Sequence, residues 1–228
     1  MAGLSLEQKN NLHLGCWFAL ALSIAILLVA GYWAYDWYAH GNKPPVIPLP
    51  ATAYADPSVE ETPLSESAVD KYTVPATHPR YITIPALGIG KARVMSVGLT
   101  KLNTLDTPRN INDTAWYNKS ALPGQGYGQV VIDGHNGGVS RDGVFINLDR
   151  LKNDDEIIVQ RGDGKKITYK VVKVVTMSLK ETNEKGMQQL VKPYDQGKEG
   201  LGLITCAGKW IPRDKVFDKR ILVWAVAE

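Results

Sequence analysis

The chain changes its hydrophobic rhythm twice. From Leu14 to Tyr35 apolar residues run on without a charged position, long enough for one helix to cross a bilayer. Trp17 stands near the start of that run, and Tyr32, Trp33, Tyr35, Trp37 and Tyr38 crowd its far end, matching the aromatic belts of the two membrane–water boundaries. From Gly41 to about Pro79 the rhythm disappears. Pro44-Pro45, Pro48, Pro50, Pro57, Pro63 and Pro75 are interspersed with Ala, Ser, Thr and Glu, a mixture that buries too little apolar surface to fold alone and reads as an extended spacer. From Arg80 onward, short β-branched runs alternate with Gly, Pro and Asn. Runs at Tyr81–Ile84, Ala92–Val97, Gln129–Asp133, Glu156–Arg161, Ile167–Thr176, Gly202–Thr205 and Ile221–Val226 predict seven strands. Asp163-Gly164 is a hairpin turn between two of them. Brief helices are predicted around Asn147–Leu151 and Gly186–Val191, and no internal repeat is visible. Such a succession predicts an all-β sandwich or barrel rather than a parallel α/β sheet.

A cleaved signal peptide, with Ala53-Tyr54-Ala55 as the small-residue site, is the competing account of the N-terminus. It fits poorly, because the apolar run exceeds a signal-peptide core and the site lies well beyond it. Leu14-Gly15-Cys16 precedes the apolar run, whereas a lipoprotein box follows one. Lys9 and the terminal amine before the helix, against Asp36 and Lys43 after it, favour an N-terminus inside the cell and the remainder outside. The expected division is a cytoplasmic tail over 1–11, a single membrane anchor in contact with lipid over 12–38, a Pro/Ala-rich spacer over 39–79 and a folded domain over 80–228.

Composition narrows the chemistry. The 228 residues have room for one domain and an appendage. A net charge of +3, from 26 basic and 23 acidic residues, together with the lack of a basic stripe, argues against nucleic acid as a partner. The two cysteines are Cys16, within the apolar run, and Cys206. Cys206 is therefore expected as a free thiol, and an unpaired thiol in an extracytoplasmic domain draws notice as a reactive group.

Cys206 ends the run Leu203-Ile204-Thr205-Cys206, and Arg220 opens the run Ile221-Leu222-Val223-Trp224. Two neighbouring strands joined by a loop over Ala207–Lys219 would bring thiol and guanidinium together at one end of a sheet. A fixed cation there favours the thiolate, which is the nucleophile; an apolar wall would oppose it. Of the four histidines, His13 borders the apolar run and His40 and His78 lie in or beside the spacer, so only His135 belongs to the folded part. It follows the run Val130-Val131-Ile132-Asp133 in the glycine-rich stretch Gly134-His135-Asn136-Gly137-Gly138, and function concentrates at such strand ends. Taken singly, each residue has a plain account: a hydrogen-bonded loop histidine, an inert cysteine, an edge arginine. As a set they supply nucleophile, acid/base and oxyanion partner. Trp210 in the loop after Cys206 is a packing or substrate-facing aromatic, and Met177–Gly200 is long enough to shape substrate choice. Asp154-Asp155-Glu156 reads as a solvated turn, and neither a metal nor a cofactor is expected.

Gly134-His135, then Leu203-Ile204-Thr205-Cys206, then Arg220 opening the last strand resemble, in that order, the motifs of the sortases, cysteine transpeptidases that anchor proteins to bacterial cell walls or build pili. Tyr81-Ile82-Thr83-Ile84-Pro85-Ala86-Leu87-Gly88-Ile89, Trp116-Tyr117, Pro123-Gly124 and Gly143-Val144-Phe145 extend the likeness. The single-domain form is most similar to classes D, E or F. The resemblance implies a closed β-barrel of about eight strands and a secreted protein with a C-terminal Leu-Pro-x-Thr-Gly-like sorting signal as first substrate. It implies Cys206 as nucleophile, His135 as acid and base, Arg220 as oxyanion partner and Thr205 as a residue that helps position substrate. The acceptor would be an amine of a cell-wall precursor or of a pilin.

Three rivals stand beside it. An L,D-transpeptidase carries Ser-His-Gly-Cys-x-Arg in one short run, which is absent here. A pilin-polymerising sortase is expected to carry a second membrane segment and a lid; the sequence given ends after the last predicted strand, and Asp56-Pro57 is only an echo of a lid motif. A membrane-tethered β-domain that binds a wall component without catalysis would leave Cys206 a bystander.

Overall fold

Strand pairing closes completely on itself in the computed structural model, which describes residues 7–46 and 48–228. The first six residues of the expected tail lie outside the described residues. The strands are β1 Pro79–Ile84, β2 Ile89–Val97, β3 Thr114–Tyr117, β4 Gln129–Gly134, β5 Glu156–Arg161, β6 Lys166–Ser178, β7 Gly200–Ile211 and β8 Val216–Ala227. Around the barrel their order is β1-β2-β3-β4-β7-β8-β6-β5, and β5 pairs back with β1. β2 with β3 and β4 with β7 are parallel, and the other pairs antiparallel. Closure leaves no open sheet edge.

The strand missing from the sequence reading is β3. Its four residues, Thr-Ala-Trp-Tyr, are too few to display an alternation. It forms because β2 and β4 hold it from either side. The Thr114 hydroxyl donates to the Arg93 carbonyl at 3.0 Å, and Trp116 Nε1 donates to the Ala121 carbonyl at 3.1 Å. β7 and β8 are longer than expected: the segment Ala207–Lys219, read as a loop, is mostly the far half of a β-hairpin. The predicted Asp163-Gly164 turn joins β5 to β6, with Gly164 at φ +86°. The short helices of the barrel domain are single turns, including the 3-10 turn Leu148–Arg150. The run Leu179–Leu190 comprises α3 Leu179–Glu181, a π-turn Thr182–Gly186 and α4 Met187–Leu190.

Alternation sorts each strand between two cores. Val130, Ile132, Leu201, Leu203, Val223 and Ala225 fill the barrel with Ile82, Tyr169 and Val171. Val131, Ile204, Leu222 and Trp224 point outward and are covered by Leu190, Met187 and Met177 of the 177–190 run. Val131, Ile204 and Met187 of that outer cluster also line a groove on the barrel surface.

The N-terminal helix α1 spans Glu7–His40, and its Gly15–His40 portion, with a mean hydropathy of 2.1, is apolar and long enough to cross a membrane. The stretch expected as an open spacer makes ordered contacts with the barrel. Glu60 N donates to the Arg109 carbonyl at 3.0 Å and its own carbonyl accepts from Ile111 N at 2.9 Å. The Glu61 carboxylate takes the Ser140 hydroxyl and backbone amide. Ser65 caps α2, Glu66–Asp70, and Tyr72 donates to the Val94 carbonyl at 2.8 Å. The individual prolines and acids of this stretch do not form a core. They lie on one that already exists.

Candidate active site

Cys206 and Arg220 are directly opposed in the β7–β8 ladder. Alternation sends Leu203 and Thr205 into the barrel and Ile204 and Cys206 outward, and on β8 sends Ile221 inward and Arg220 outward. Both side chains therefore share the outer face. Just beyond them the register shifts between Ala207 and Trp210, with Gly208 at φ +82°. Such a bulge bends the strand and re-aims its side chains. Cys206 thus lies within the hairpin, not at a strand end.

On the other side of β7 lies β4, parallel to it, with Asp133 opposite Ile204. One residue further, Thr205 Oγ1 donates to the Gly134 carbonyl at 2.7 Å. The two chains stay side by side, and the same register brings His135 level with Cys206. Histidine, cysteine and arginine so occupy three adjacent chains, whose spacing is about 4.8 Å. Gly134 is required by a close approach: a Cβ there would lie 2.6 Å from the Phe145 ring. Phe145 N donates to the His135 carbonyl at 2.9 Å, which fixes the loop. The ring Nε2 of His135 lies 2.6 Å from the Pro108 carbonyl. A carbonyl only accepts, so Nε2 carries the proton and Nδ1 is left to take one.

The groove above these residues has a volume of about 710 Å³. Val131, Asp133, Ile204, Cys206 and Arg220 form its floor, Leu99, Leu105 and Thr107 one wall, and Leu179, Thr182 and Met187 the other. The first wall is a tight loop in which Thr100 N donates to the Thr104 carbonyl at 2.8 Å and Asp106 N to the Gly98 carbonyl at 3.1 Å. Arg220 is held by its own strand: Nη1 donates to the carbonyls of Phe217 at 2.9 Å and Lys219 at 2.7 Å.

Burial pushes the Cys206 thiol up to about 11, outweighing Arg220, which pulls it down; the charges of Asp133 and Asp56 raise it further. The guanidinium beside the thiol does not set its charge in the resting groove, since loss of water counts for more. Burial also raises Asp133 to about 7, against the opposing pull of Arg220 and the Gly134 backbone amide, with Asp106 adding to the rise.

The sortase-domain family model matches residues 82–228, which is the barrel from the middle of β1 onward. The chain belongs to the sortase family. Sortases are cysteine transpeptidases, and the barrel agrees with solved members. Sortase A from Corynebacterium diphtheriae is 23% identical, with a TM-score of 0.50 over 77% of this chain and 75% of that one. Sortase C-1 from Actinomyces oris is 18% identical, with a TM-score of 0.49 over 76% and 91%. Sortase E1 from Streptomyces coelicolor is 19% identical, with a TM-score of 0.48 over 69% and 91%. None of the curated proteins matches the sequence.

Within this sortase barrel the predicted site residues separate into two groups. Cys206 and Arg220 line the groove and His135 flanks it. Thr205 and Trp210 do not line it. Thr205 is fully buried on the barrel side with its hydroxyl committed to Gly134, so it ties β7 to β4. Trp210 packs edge-on against Phe217 with ring centres 5.2 Å apart. It lines a separate cavity of about 570 Å³ with Trp37, Leu49, Pro50 and Pro57. Asp133, Asp106 and Pro108 are the site neighbours that the sequence reading did not single out, while Asp56, noted there only as an echo of a lid motif, also acts on Cys206. For Asp133 a signal was present: a charge directly after Val130-Val131-Ile132 sits on a strand that burial patterns place wholly inside, where an ionisable group is a candidate functional residue. Asp154-Asp155-Glu156 is used locally, Asp155 accepting from Lys152 N at 2.8 Å and Glu156 pairing with Lys170 at 2.8 Å. Among the described residues no group of three or more His, Cys, Asp or Glu could hold a metal ion.

Proposed function

We propose that this sortase cleaves a Leu-Pro-x-Thr-Gly-like sorting signal of a secreted protein and transfers the upstream part to an amine of the cell wall. The observation that carries the reading is the cross-strand pairing of Cys206 with Arg220 in one groove, with His135 on the chain beside them. With its ordinary state set at about 11, Cys206 is a thiol at neutral pH, so its proton has to leave as it attacks. His135 Nδ1 takes that proton while Sγ bonds to the carbonyl carbon of the signal's threonine. Arg220 faces the oxygen on which negative charge gathers. The imidazolium then gives the proton to the departing amine, the C–N bond breaks and a thioester remains on Cys206. An incoming amine, deprotonated by His135, attacks the thioester, and the thiol regains its proton.

The helix Gly15–His40 is the anchor in this reading, with the N-terminus inside and the barrel outside the cell. Residues 12–38 would lie in lipid and 80–228 would form the catalytic domain. Pilin polymerisation is a second reading with one observation in its favour. Asp56, next to Pro57, acts electrostatically on Cys206 and shares a cavity with Trp210, so the segment before the barrel reaches the nucleophile's surroundings. Mass spectrometry of the full chain with a sorting-peptide library tests both. A thioester adduct on Cys206 that ends in threonine, and that an added wall-type diamine or a pilin lysine peptide discharges, is the expected result. No adduct from any peptide, with Cys206→Ala still cleaving, overturns the transpeptidase assignment.

A further inference from the structure

The groove floor contains one polar group that neither the fold nor the catalytic set uses. Asp133 is 7% exposed, and its Oδ2 has no hydrogen-bond partner among the described residues. The other buried side-chain atoms in that condition belong to Gln129 and Arg161, neither of which lines the groove. Asp133 does line it, together with Cys206 and Arg220. A buried carboxyl oxygen without a partner costs about 1–3 kcal/mol and more when charged, and the side chain cannot be turned to solvent from within a strand whose six residues are all buried. Packing does not account for it either: neighbouring outward positions Val131, Ile204 and Leu222 are aliphatic, and a leucine or valine at 133 would extend that surface.

We propose that Asp133 is a specificity-determining residue that accepts a hydrogen bond from a hydroxyl, amide or ammonium side chain of the peptide lying in the groove. This rests on the transpeptidase reading of the same groove. The position of the donor follows from strand geometry. Asp133 is opposite Ile204, two residues before Cys206 on β7; with strands about 4.8 Å apart and a rise of about 3.3 Å per residue, the two Cα atoms are about 8 Å apart. An extended peptide advances about 3.3–3.6 Å per residue, so the donor belongs one or two residues from the carbonyl that Cys206 attacks. The energetic logic is that of a site built to hydrogen-bond its substrate: a peptide without the donor leaves Oδ2 of the buried carboxyl unpaired, and discrimination of this kind reaches large ratios. Arg220 and Asp106 also face Asp133. A cationic or neutral donor is favoured there, and a glutamate is excluded by the two neighbouring carboxylates.

The test uses the full chain in detergent and an acetylated peptide library with a Leu-Pro core. The two residues on each side of the acyl carbonyl are varied among Lys, Ser, Asn, Val, Leu and Glu, with thioester formation on Cys206 read by mass spectrometry. The wild type is expected to form adducts with donor-bearing peptides at least ten times faster than with their Val or Leu counterparts at one of those positions. Asp133→Leu is expected to lose or invert that ratio, and Asp133→Asn, which can both donate and accept, to weaken it and readmit Glu. Because the ratio is taken between peptides within each variant, a change in the folded fraction cancels. Adducts with no donor preference, or a preference that survives in Asp133→Leu, overturn the assignment of Asp133 while leaving the transpeptidase reading intact. Adducts with no member of the library overturn both.

Discussion

Thr205 donates its hydroxyl to the carbonyl of Gly134 at 2.7 Å, so the residue before Cys206 is fastened to the residue before His135. The bond lies inside the barrel, where both groups are shielded from water. Thr205→Val keeps the shape and orphans a buried carbonyl, at about 1–3 kcal/mol. The expected result is a melting temperature lowered by several degrees and acylation slowed about tenfold, because small misplacements of reacting groups are costly. Thr205→Ser retains the hydroxyl and should recover most of the rate. A Val variant with wild-type kinetics would show that the bond supports only the fold.

Asp133 gives two pH signatures. Its folded value is raised to about 7 from an unfolded value of about 3.9, so the folded state holds the proton longer. Stability contributed by the protonated form is present below about pH 4 and declines as pH rises through about 7. Asp133→Asn should flatten that decline in thermal melts. The groups that face this carboxyl are Cys206 on β7, Arg220 on β8 and Asp106 in the groove wall.

Removing the Asp133 charge also removes a push on the thiol. Iodoacetamide labelling of Cys206 in Asp133→Asn should be about threefold to tenfold faster than wild type at pH 8, with no difference at pH 5, where Asp133 is already neutral. Equal labelling at both pH values would sever the electrostatic link between the two residues.

Arg220 opposes the burial that keeps Cys206 protonated and is positioned by the carbonyls of Phe217 and Lys219. Arg220→Ala should slow thioester formation about 10²- to 10³-fold, the usual cost of one oxyanion donor, and raise the thiol further. Arg220→Lys restores charge without the forked geometry and should recover only part of the rate. Stopped-flow acylation with a fluorescent sorting peptide measures both.

Glu199, directly before β7 and so at the far end of the strand that carries Cys206, is a buried latch. It is 2% exposed, and its two oxygens accept from Gly124 N at 2.8 Å and Gly126 N at 2.7 Å, with the Tyr169 hydroxyl as a third donor. Glu199→Gln replaces one acceptor by a donor facing a donor. Denaturant melts should show a loss of about 1–3 kcal/mol, and amide exchange at Gly124 and Gly126 should accelerate.

The strands that the sequence revealed are those with a solvent-shielded alternation or a β-branched run, such as Glu156–Arg161, which the structure reproduces residue for residue. β3 stayed hidden because its order comes from the strands around it. The groove-lining pair was legible because Cys206 is the one cysteine of 80–228 and Arg220, one of several arginines there, opens the next apolar run; the structure places the two opposite each other. Two other features were not. Thr205 faces the interior because of its parity along β7, which depends on which face of a closed barrel is inside. The partners of the 41–78 stretch, such as Ser140 for Glu61, are separated from it in sequence by the whole first half of the barrel.

The end of α1 is joined to the tip of the catalytic hairpin. Arg213 N donates to the Tyr38 carbonyl at 3.2 Å, Lys209 reaches Asn42, and Gly41, at φ +67°, passes so close to the Trp210 carbonyl that no Cβ would fit. A free leash from Gly41 to His78 could be paid out to more than about 100 Å. Here its first residues are moored to the same β-hairpin that bears Cys206. The working radius of Cys206 is therefore the width of one barrel around the helix end, and on the proposed transpeptidase reading cargo has to be delivered to that spot rather than fished for at a distance.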